Sequence, residues 1–416
     1  MNVRPNPNFR VVPVSDPRAR HPDEGAVRAP LQRQIAAVEI LPVPARRVAS
    51  VDALRGFSMF WILGADSLAR ALDQMLSHQG AILSAVGGFI GAQLTHVEWE
   101  GARFYDLIFP MFIFVTGVSI VFSLTRLVEQ EGMPAAHWRV LRRSALLFAL
   151  GIIAYGGISQ TWADIRVGGV LQRIALCYLF ASLLFLNLSL RGMVIAFVSL
   201  LGGYWALMTF VLVPGIGAGS FAKDANLADW IDFYYMPGRL WEKTRDPEGL
   251  LSTLPAIGTC LLGVFAGLLL KDRRVEAQQK SLWLMAAGIA MMAAGWLWGL
   301  QFPVIKAIWT SSFVLVAGGF AILMLGLFHQ FIDVWGRKKW AEVFMWVGAN
   351  AIALYVFNML VGFYPIAMRL VGGDVARFAD AYVTPGAGWF LGAAMSLALV
   401  IAAARFLYRR KIFLRV

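Results

Sequence analysis

Charge is scarce in this sequence. Only 15% of its 416 residues are Asp, Glu, Lys or Arg, and 59% are apolar. A soluble domain is nearer a quarter charged, so an ordinary soluble fold is excluded. Cysteine is scarcer still. Cys177 and Cys260 are the two present, and both fall in apolar runs, where core packing is expected and a disulfide is not. The sequence has no HExxH, no P-loop, no GxSxG and no CxxC pair. It therefore offers no basis for a bound metal, a serine nucleophile or an ATP-driven pump. The N-terminal stretch has no apolar run of signal-peptide type, so no cleavage is expected.

Apolar runs of membrane-crossing length are what it does have. A span needs about 20 apolar residues. Runs of that kind lie near 53–72, 105–124, 143–158, 169–187, 193–213, 251–270, 281–300, 311–330, 343–363 and 389–408. The expected fold class is all-α, a polytopic transmembrane helix bundle of about ten spans. Residues 1–46, rich in Pro, Arg and Ala, are expected to form a disordered cytoplasmic tail, and 47–416 the membrane domain.

The net charge of +12 fits this reading without a nucleic-acid partner. Alternate loops are basic: Arg139, Arg142 and Arg143, then Arg191, then Lys271, Arg273 and Arg274, then Arg337, Lys338 and Lys339. The intervening loops are mixed or acidic. Basic loops stay inside, which predicts a multi-pass protein of the cytoplasmic (inner) membrane with both termini cytoplasmic. No internal repeat is evident, which weakens a transporter built from inverted halves. Two outer segments, 73–104 and 214–250, are long enough to build a site.

The first reads Gln93-Leu-Thr-His96-Val-Glu98-Trp99-Glu100-Gly101 and leads into Asp106 and Pro110. An imidazole there can take and return a proton or carry an acyl group. The bland alternative is an interfacial histidine beside Trp99, held by a backbone carbonyl. Asp106 is expected to cap a span, with Pro110 in its first turn, to orient His96, or both. Asp66 lies inside the first span. A carboxylate there is costly and should face the bundle interior or a watery cavity. Arg173, beside Gln172 in the fourth span, is its expected ion partner, or else an anion contact. Asp246-Pro247-Glu248 is expected to start the sixth span, and a helix N-terminus also suits an anion. Asn350 and Asn358 are expected as buried amides in the ninth span, bonded to a neighbouring helix or lining a cavity.

Six segments, in order, carry a resemblance. They are Ser50-Val51-Asp52-Ala-Leu-Arg55-Gly56; His96-x-x-Trp99-x-Gly101 leading to Asp106-Leu-Ile-Phe-Pro110; Gly169-Val-Leu171-Gln172-Arg173; Asp246-Pro247-Glu248-Gly249; Trp309 with Ser312; and Gly348-Ala-Asn350-Ala-Ile-x-Leu-Tyr355. With these the chain resembles bacterial relatives of heparan-alpha-glucosaminide N-acetyltransferase, within the transmembrane acyltransferase group. The resemblance implies transfer of an acyl group, acetyl in the first instance, from cytosolic acetyl-CoA to an amine or hydroxyl of an extracytoplasmic glycan or amino sugar. It implies no metal. His96 and Asp66 match the catalytic positions, and Asp106 is expected to act with them by orienting His96. Trp99, Gln172, Arg173, Asp246, Glu248, Asn350 and Asn358 are expected to bind substrate or donor. Asp66 departs from the family, which has asparagine there. The expected partners are acyl-CoA, the glycan acceptor, the lipid bilayer and a second copy of the chain. The competing reading is a transporter or flippase for a glycan or lipid-linked precursor, with no covalent chemistry.

Overall fold

The computed structural model describes residues 48–77, 80–159 and 161–413. The expected tail at 1–46 lies outside the described residues. The architecture is an all-α bundle, as expected, with a single small hairpin of β1 (Phe221–Ala222) and β2 (Ala225–Asn226) in an outer loop.

Each expected span falls on helix, but the helices do not divide where the apolar runs do. The first is α1 (Ala49–Phe60), a π-helical turn at Trp61–Ala65 and α2 (Asp66–Leu76). Gly64 makes that turn possible: its φ of 141° is a conformation side chains resist. Within the first long outer segment, α3 (Ala81–Gln93) follows. The second and third spans share one 51-residue segment, α4 (Phe104–Ala154), broken at Gly132, where φ is 85° and ψ is 177°. Its end meets Gly156 and Gly157, both at positive φ, and a 3-10 turn at Gly157–Ser159. Then come α5 (Val170–Asn187), α6 (Leu190–Phe210), the short outer α7 (Leu227–Tyr235), α8 (Thr253–Lys271), α9 (Ala277–Gly299) and α10 (Ser311–Phe328). The ninth span is a bent pair, α11 (Glu342–Ala349) and α12 (Ala351–Leu360), hinged by 62° at Asn350. Two short helices, α13 (Phe363–Val371) and α14 (Asp374–Tyr382), precede α15 (Ala387–Arg409). Among the described residues, seven helices are long and apolar enough to cross a membrane, or eight with the bent pair. This is a membrane protein.

The helices sort into inner and outer. The apolar stretches of α4, α8 and α10 are mostly buried, whereas those of α6 and α9 are mostly exposed. Val194, Ile195 and Val198 on α6, with Trp283, Ile289 and Leu297 on α9, present bare apolar surface suited to lipid. Inner helices meet through small residues, because close backbone approach replaces the hydrophobic drive that lipid cannot supply. A Cβ added to Gly117 would sit 1.9 Å from the Cys260 carbonyl oxygen, and one added to Gly263 would sit 1.9 Å from that of Phe114. Cys177 and Cys260 are both free thiols in this core.

Loops that alternate along the chain gather at one end of the bundle. The Gly101 N–H donates to the Val304 carbonyl at 2.7 Å. Glu100 bridges Ile305, and Arg166 bridges Gly238. The Trp99 indole donates to the Phe221 carbonyl at 2.8 Å. These contacts join 96–103, 161–168, 213–250 and 300–310, the segments that charge alternation puts on one side.

Candidate active site

The turn from Pro303 to Thr310 is the frame on which one half of the site is set. Thr310 holds it, accepting the Ile305 N–H at 3.0 Å and the Phe313 N–H at 3.3 Å through its hydroxyl. Trp309 takes a left-handed conformation, φ 51°. Such strain persists only where surroundings enforce it, and it is common at functional sites. Here the turn sends the Trp309 ring inward, where its N–H donates to Thr259 at 3.1 Å. It leaves Lys306 at the bundle end, fastened by Val304 and Ile305 to the His96 loop.

Asp106 is the centre of this end. It sits three positions into α4, where the helix dipole favours a carboxylate, and its side chain is fully buried. Its Oδ2 accepts the backbone N–H groups of Arg103 at 3.1 Å and Val97 at 3.3 Å. Its Oδ1 lies 2.7 Å from His96 Nδ1 and 3.2 Å from Lys306 Nζ. The expectation of Asp106 as the N-cap is therefore corrected. Arg103 holds the cap position and Asp106 reaches back to its N–H, as a capping-box acid does. Pro110 lies beyond the first turn. Burial holds the Lys306 ammonium below its ordinary pKa, and the carboxylates of Asp106 and Glu248 oppose that shift.

The His96 side chain stays 54% exposed, so its ring is open to a reactant. It stacks on Tyr105, with ring centroids 4.8 Å apart and planes 27° apart. The Tyr105 hydroxyl faces Asp66, which thereby joins the cluster. Asp66 pairs with Arg70 at 2.6 Å and accepts the Ser67 hydroxyl at 3.4 Å, and does not pair with Arg173 as expected. A helix places residues four apart on one face, and Arg70 is one turn away.

A second buried cluster adjoins the first. The Arg166 guanidinium pairs with Asp246 at 3.2 Å and Glu248 at 2.9 Å. It lies between the Tyr155 and Trp241 rings, at 4.3 and 4.4 Å, and Tyr155 faces Tyr355 on α12. Asp246 is thus not the N-cap of the sixth span. A buried guanidinium has claimed its carboxylate, and α8 starts at Thr253 after Ser252. Burial raises the Glu248 pKa, with Arg173 the largest opposing charge.

Arg173 lies between the Gly249–Ser252 segment and the Trp309 ring. It is 1% exposed. It donates to the Ser252 hydroxyl and to the Gly249 carbonyl at 3.3 Å, and its guanidinium rests 4.9 Å from the Trp309 ring centre. Its Nε and Nη1 have no partner among the described residues. Buried N–H groups left open in this way suit an anion or an oxyanion. Gln172 is also buried: its amide donates to the Arg166 carbonyl at 3.3 Å, and its Oε1 is unpartnered among the described residues. A small apolar void lies between Met59, Phe109, Ile174, Ile352 and Tyr355.

The remaining expected residues divide. Trp99 borders the site, under the Arg245 guanidinium at 4.7 Å. Asn350 is buried, but at the hinge of the ninth span, donating to the Ile412 carbonyl at 3.0 Å. Asn358 is only part-buried, and it accepts the Phe363 N–H at 3.2 Å, which starts α13. Neither hydrogen bond leads to His96. Among the described residues, no group of His, Cys, Asp or Glu is arranged to hold a metal.

The acyltransferase domain family model matches residues 48–405. The chain belongs to that family. It is 28% identical over 384 residues to heparan-alpha-glucosaminide N-acetyltransferase of Homo sapiens, covering 77% of this chain and 55% of that protein. It is 27% identical over 336 residues to the Mus musculus protein of the same name, covering 66% and 50%. The chain spans about half the length of the curated relatives it matches. The resemblance carried by the six motifs is borne out, and an acyltransferase activity is supported.

Three residues of the site are not among those the sequence singles out: Lys306, Tyr105 and Arg166. Lys306 had a signal. It is the lone cation in a short apolar loop on the side where basic residues are scarce. Arg166 was visible only as part of a mixed loop, and Tyr105 only as a neighbour of Asp106.

Proposed function

We propose that this chain moves an acyl group, acetyl in the first instance, from cytosolic acyl-CoA to an amine or hydroxyl on a glycan or amino sugar at the extracytoplasmic face. The observation that carries the reading is the 2.7 Å contact of a half-exposed His96 with a fully buried Asp106. That pairing fixes the Nδ1–H tautomer, so Nε2 keeps its lone pair as a base. The acceptor N–H or O–H gives its proton to Nε2 as its nitrogen or oxygen attacks the thioester carbon. The C–S bond then breaks and the proton passes to the departing thiolate. The open N–H groups of Arg173 are suited to the oxyanion formed between those steps. Tyr105 supports the His96 ring, with Asp66 behind it. The carboxylate of Asp66 places an anion where the family has an amide, which suits a cationic or hydroxyl-donating acceptor.

Orientation is part of the proposal. The basic loops lie inside and the four joined loops outside, with the termini inside. Only the acyl thioester end of the donor then needs to reach His96, which avoids carrying the charged part of the donor across hydrocarbon. The test is transfer from labelled acetyl-CoA to glucosamine by the purified full chain in lipid nanodiscs. Transfer abolished by His96→Ala is expected; full activity in that variant overturns the assigned role. Stabilisation by sugar alone, with no transfer, would instead favour a transporter.

A further inference from the structure

Lys306 is a charged group of the site that no motif marks, and its placement has a chemical consequence. Its Nζ lies 3.0 Å from His96 Nδ1, 3.5 Å from His96 Nε2 and 3.2 Å from Asp106 Oδ1. With Nδ1–H donated to Asp106, that nitrogen has no lone pair to offer. The approach of Lys306 to the ring is thus charge against imidazole, and its hydrogen bond goes to the carboxylate. Asp106 then takes four donors, two from backbone and two from side chains, and stays an anion in a fully buried position.

From this we infer that Lys306 is a positioning residue for acyl transfer: it keeps Asp106 ionised while opposing the imidazolium form of His96, so that Nε2 is free as a base at lower pH. The inference rests on the role proposed for His96. An Asp–His pair by itself favours the protonated ring. An ammonium beside the ring pulls the other way, because two cations at this separation repel.

The other charges facing His96 do not substitute for it. From α4 they are Asp106 and Tyr105, the latter tied to Asp66 and, through it, Arg70. From its own loop they are Glu98, Glu100 and Arg103, whose guanidinium is engaged with Thr95 at 2.7 Å. Glu248 faces Lys306 from the second cluster. Lys306 is the cation in contact with the ring. It is held there by the strained turn at Trp309 and by the backbone bond from Gly101 to Val304, and its own side chain remains 21% exposed.

The test follows His96 directly. Full-length protein carrying ring-labelled histidine is titrated by NMR in nanodiscs, with His96→Ala identifying the resonance. Lys306→Gln keeps a donor for Asp106 and removes the charge; Lys306→Arg keeps both. We expect the His96 midpoint to rise by about one unit or more in Lys306→Gln and to move little in Lys306→Arg. The acid limb of kcat/KM should move upward by the same amount. A purely structural lysine would lower the plateau of that profile without moving its limb. An unchanged midpoint in folded Lys306→Gln overturns the inference. If Lys306→Gln does not fold, Lys306→Met in the same titration decides. Activity that survives His96→Ala would overturn the proposed role of His96, yet the titration would still read what Lys306 does to the ring.

Discussion

Two ends of this bundle each hold a histidine, an aspartate and a lysine, and they use them differently. At the loop-rich end, His96 is half exposed and bonded to buried Asp106, with Lys306 beside both. At the other end, His329 is 6% exposed and its Nδ1 meets the Ser281 hydroxyl at 2.8 Å. There Asp333 accepts the Ser50 N–H at 3.2 Å, and the Lys280 ammonium donates to the Leu270 carbonyl at 2.9 Å. The second set pins the π-helical end of α10 at His329–Val334 to the starts of α1 and α9. Residue type is shared. What separates a site from a staple is an imidazole that is both oriented by a carboxylate and open to a reactant.

The largest effect that could break this contrast is on activity. His96→Ala and Asp106→Asn should each lower kcat by roughly 100-fold or more, the scale of a lost general base or its orienting partner. His329→Gln should leave kcat within a few-fold and lower the melting temperature instead. Radiolabel transfer and thermal unfolding in nanodiscs separate the two. Loss of activity in His329→Gln at unchanged stability would erase the distinction.

Next in size is the Arg166 cluster. Arg166→Met takes from Asp246 and Glu248 the guanidinium that pairs with both in a buried place. Breaking a buried pair by removing one partner costs about 3–5 kcal/mol, so this variant should unfold at clearly lower temperature. A double change, Arg166→Met with Asp246→Asn, should recover part of that loss. Equal melting temperatures in the single and double variants would show that the charges are not coupled.

A pH effect sharpens the same end. Burial pushes the Asp229 carboxyl up to about 6 and that of Asp232 to about 7. The ordinary value is 3.8, so both favour the protonated, folded form. Their stabilising share is full below about 4 and is lost as pH rises through 6 to 7. The outer loops should therefore loosen between pH 5 and 8. Asp232→Asn should flatten that slope, with the variant more stable than the parent at pH 8 and similar at pH 5. Hydrogen exchange of 224–252 at the two pH values checks it. An unchanged slope in Asp232→Asn would remove this carboxyl as the cause.

Much of the fold was legible because a bilayer leaves few choices. Backbone buried in lipid must be helical, so apolar length and loop charge place the elements. The breaks were harder. Gly132 splits a helix that composition shows as two spans, and Gly64 turns a span that composition shows as one. The site was legible where its residues sit in motifs, as His96, Asp106 and Arg173 do. It failed where pairing depends on long-range geometry. Lys306 meets His96 across 210 residues of chain, and Asp246 left its helix start for an arginine 80 residues earlier. The Asp66 partner was a different kind of miss. Local i,i+4 spacing pointed to Arg70, while the expectation reached for Arg173.

The smallest effect concerns that same aspartate. Asp66 touches His96 only through Tyr105, so its influence should be a fraction of that of Asp106. Tyr105→Phe keeps the ring that stacks on His96 and removes the hydroxyl that faces Asp66. If Asp66 acts through that hydroxyl, Tyr105→Phe and Asp66→Asn should each lower kcat by about tenfold or less, and the double variant should lose no more than either alone. If Asp66 instead meets the acceptor itself, Asp66→Asn should raise KM for an amino sugar and Tyr105→Phe should not. The family asparagine makes Asp66→Asn informative in a second way. An amide can donate where a carboxylate only accepts, so a variant that gains on hydroxyl acceptors while losing on amines would place the carboxylate against the acceptor's ammonium.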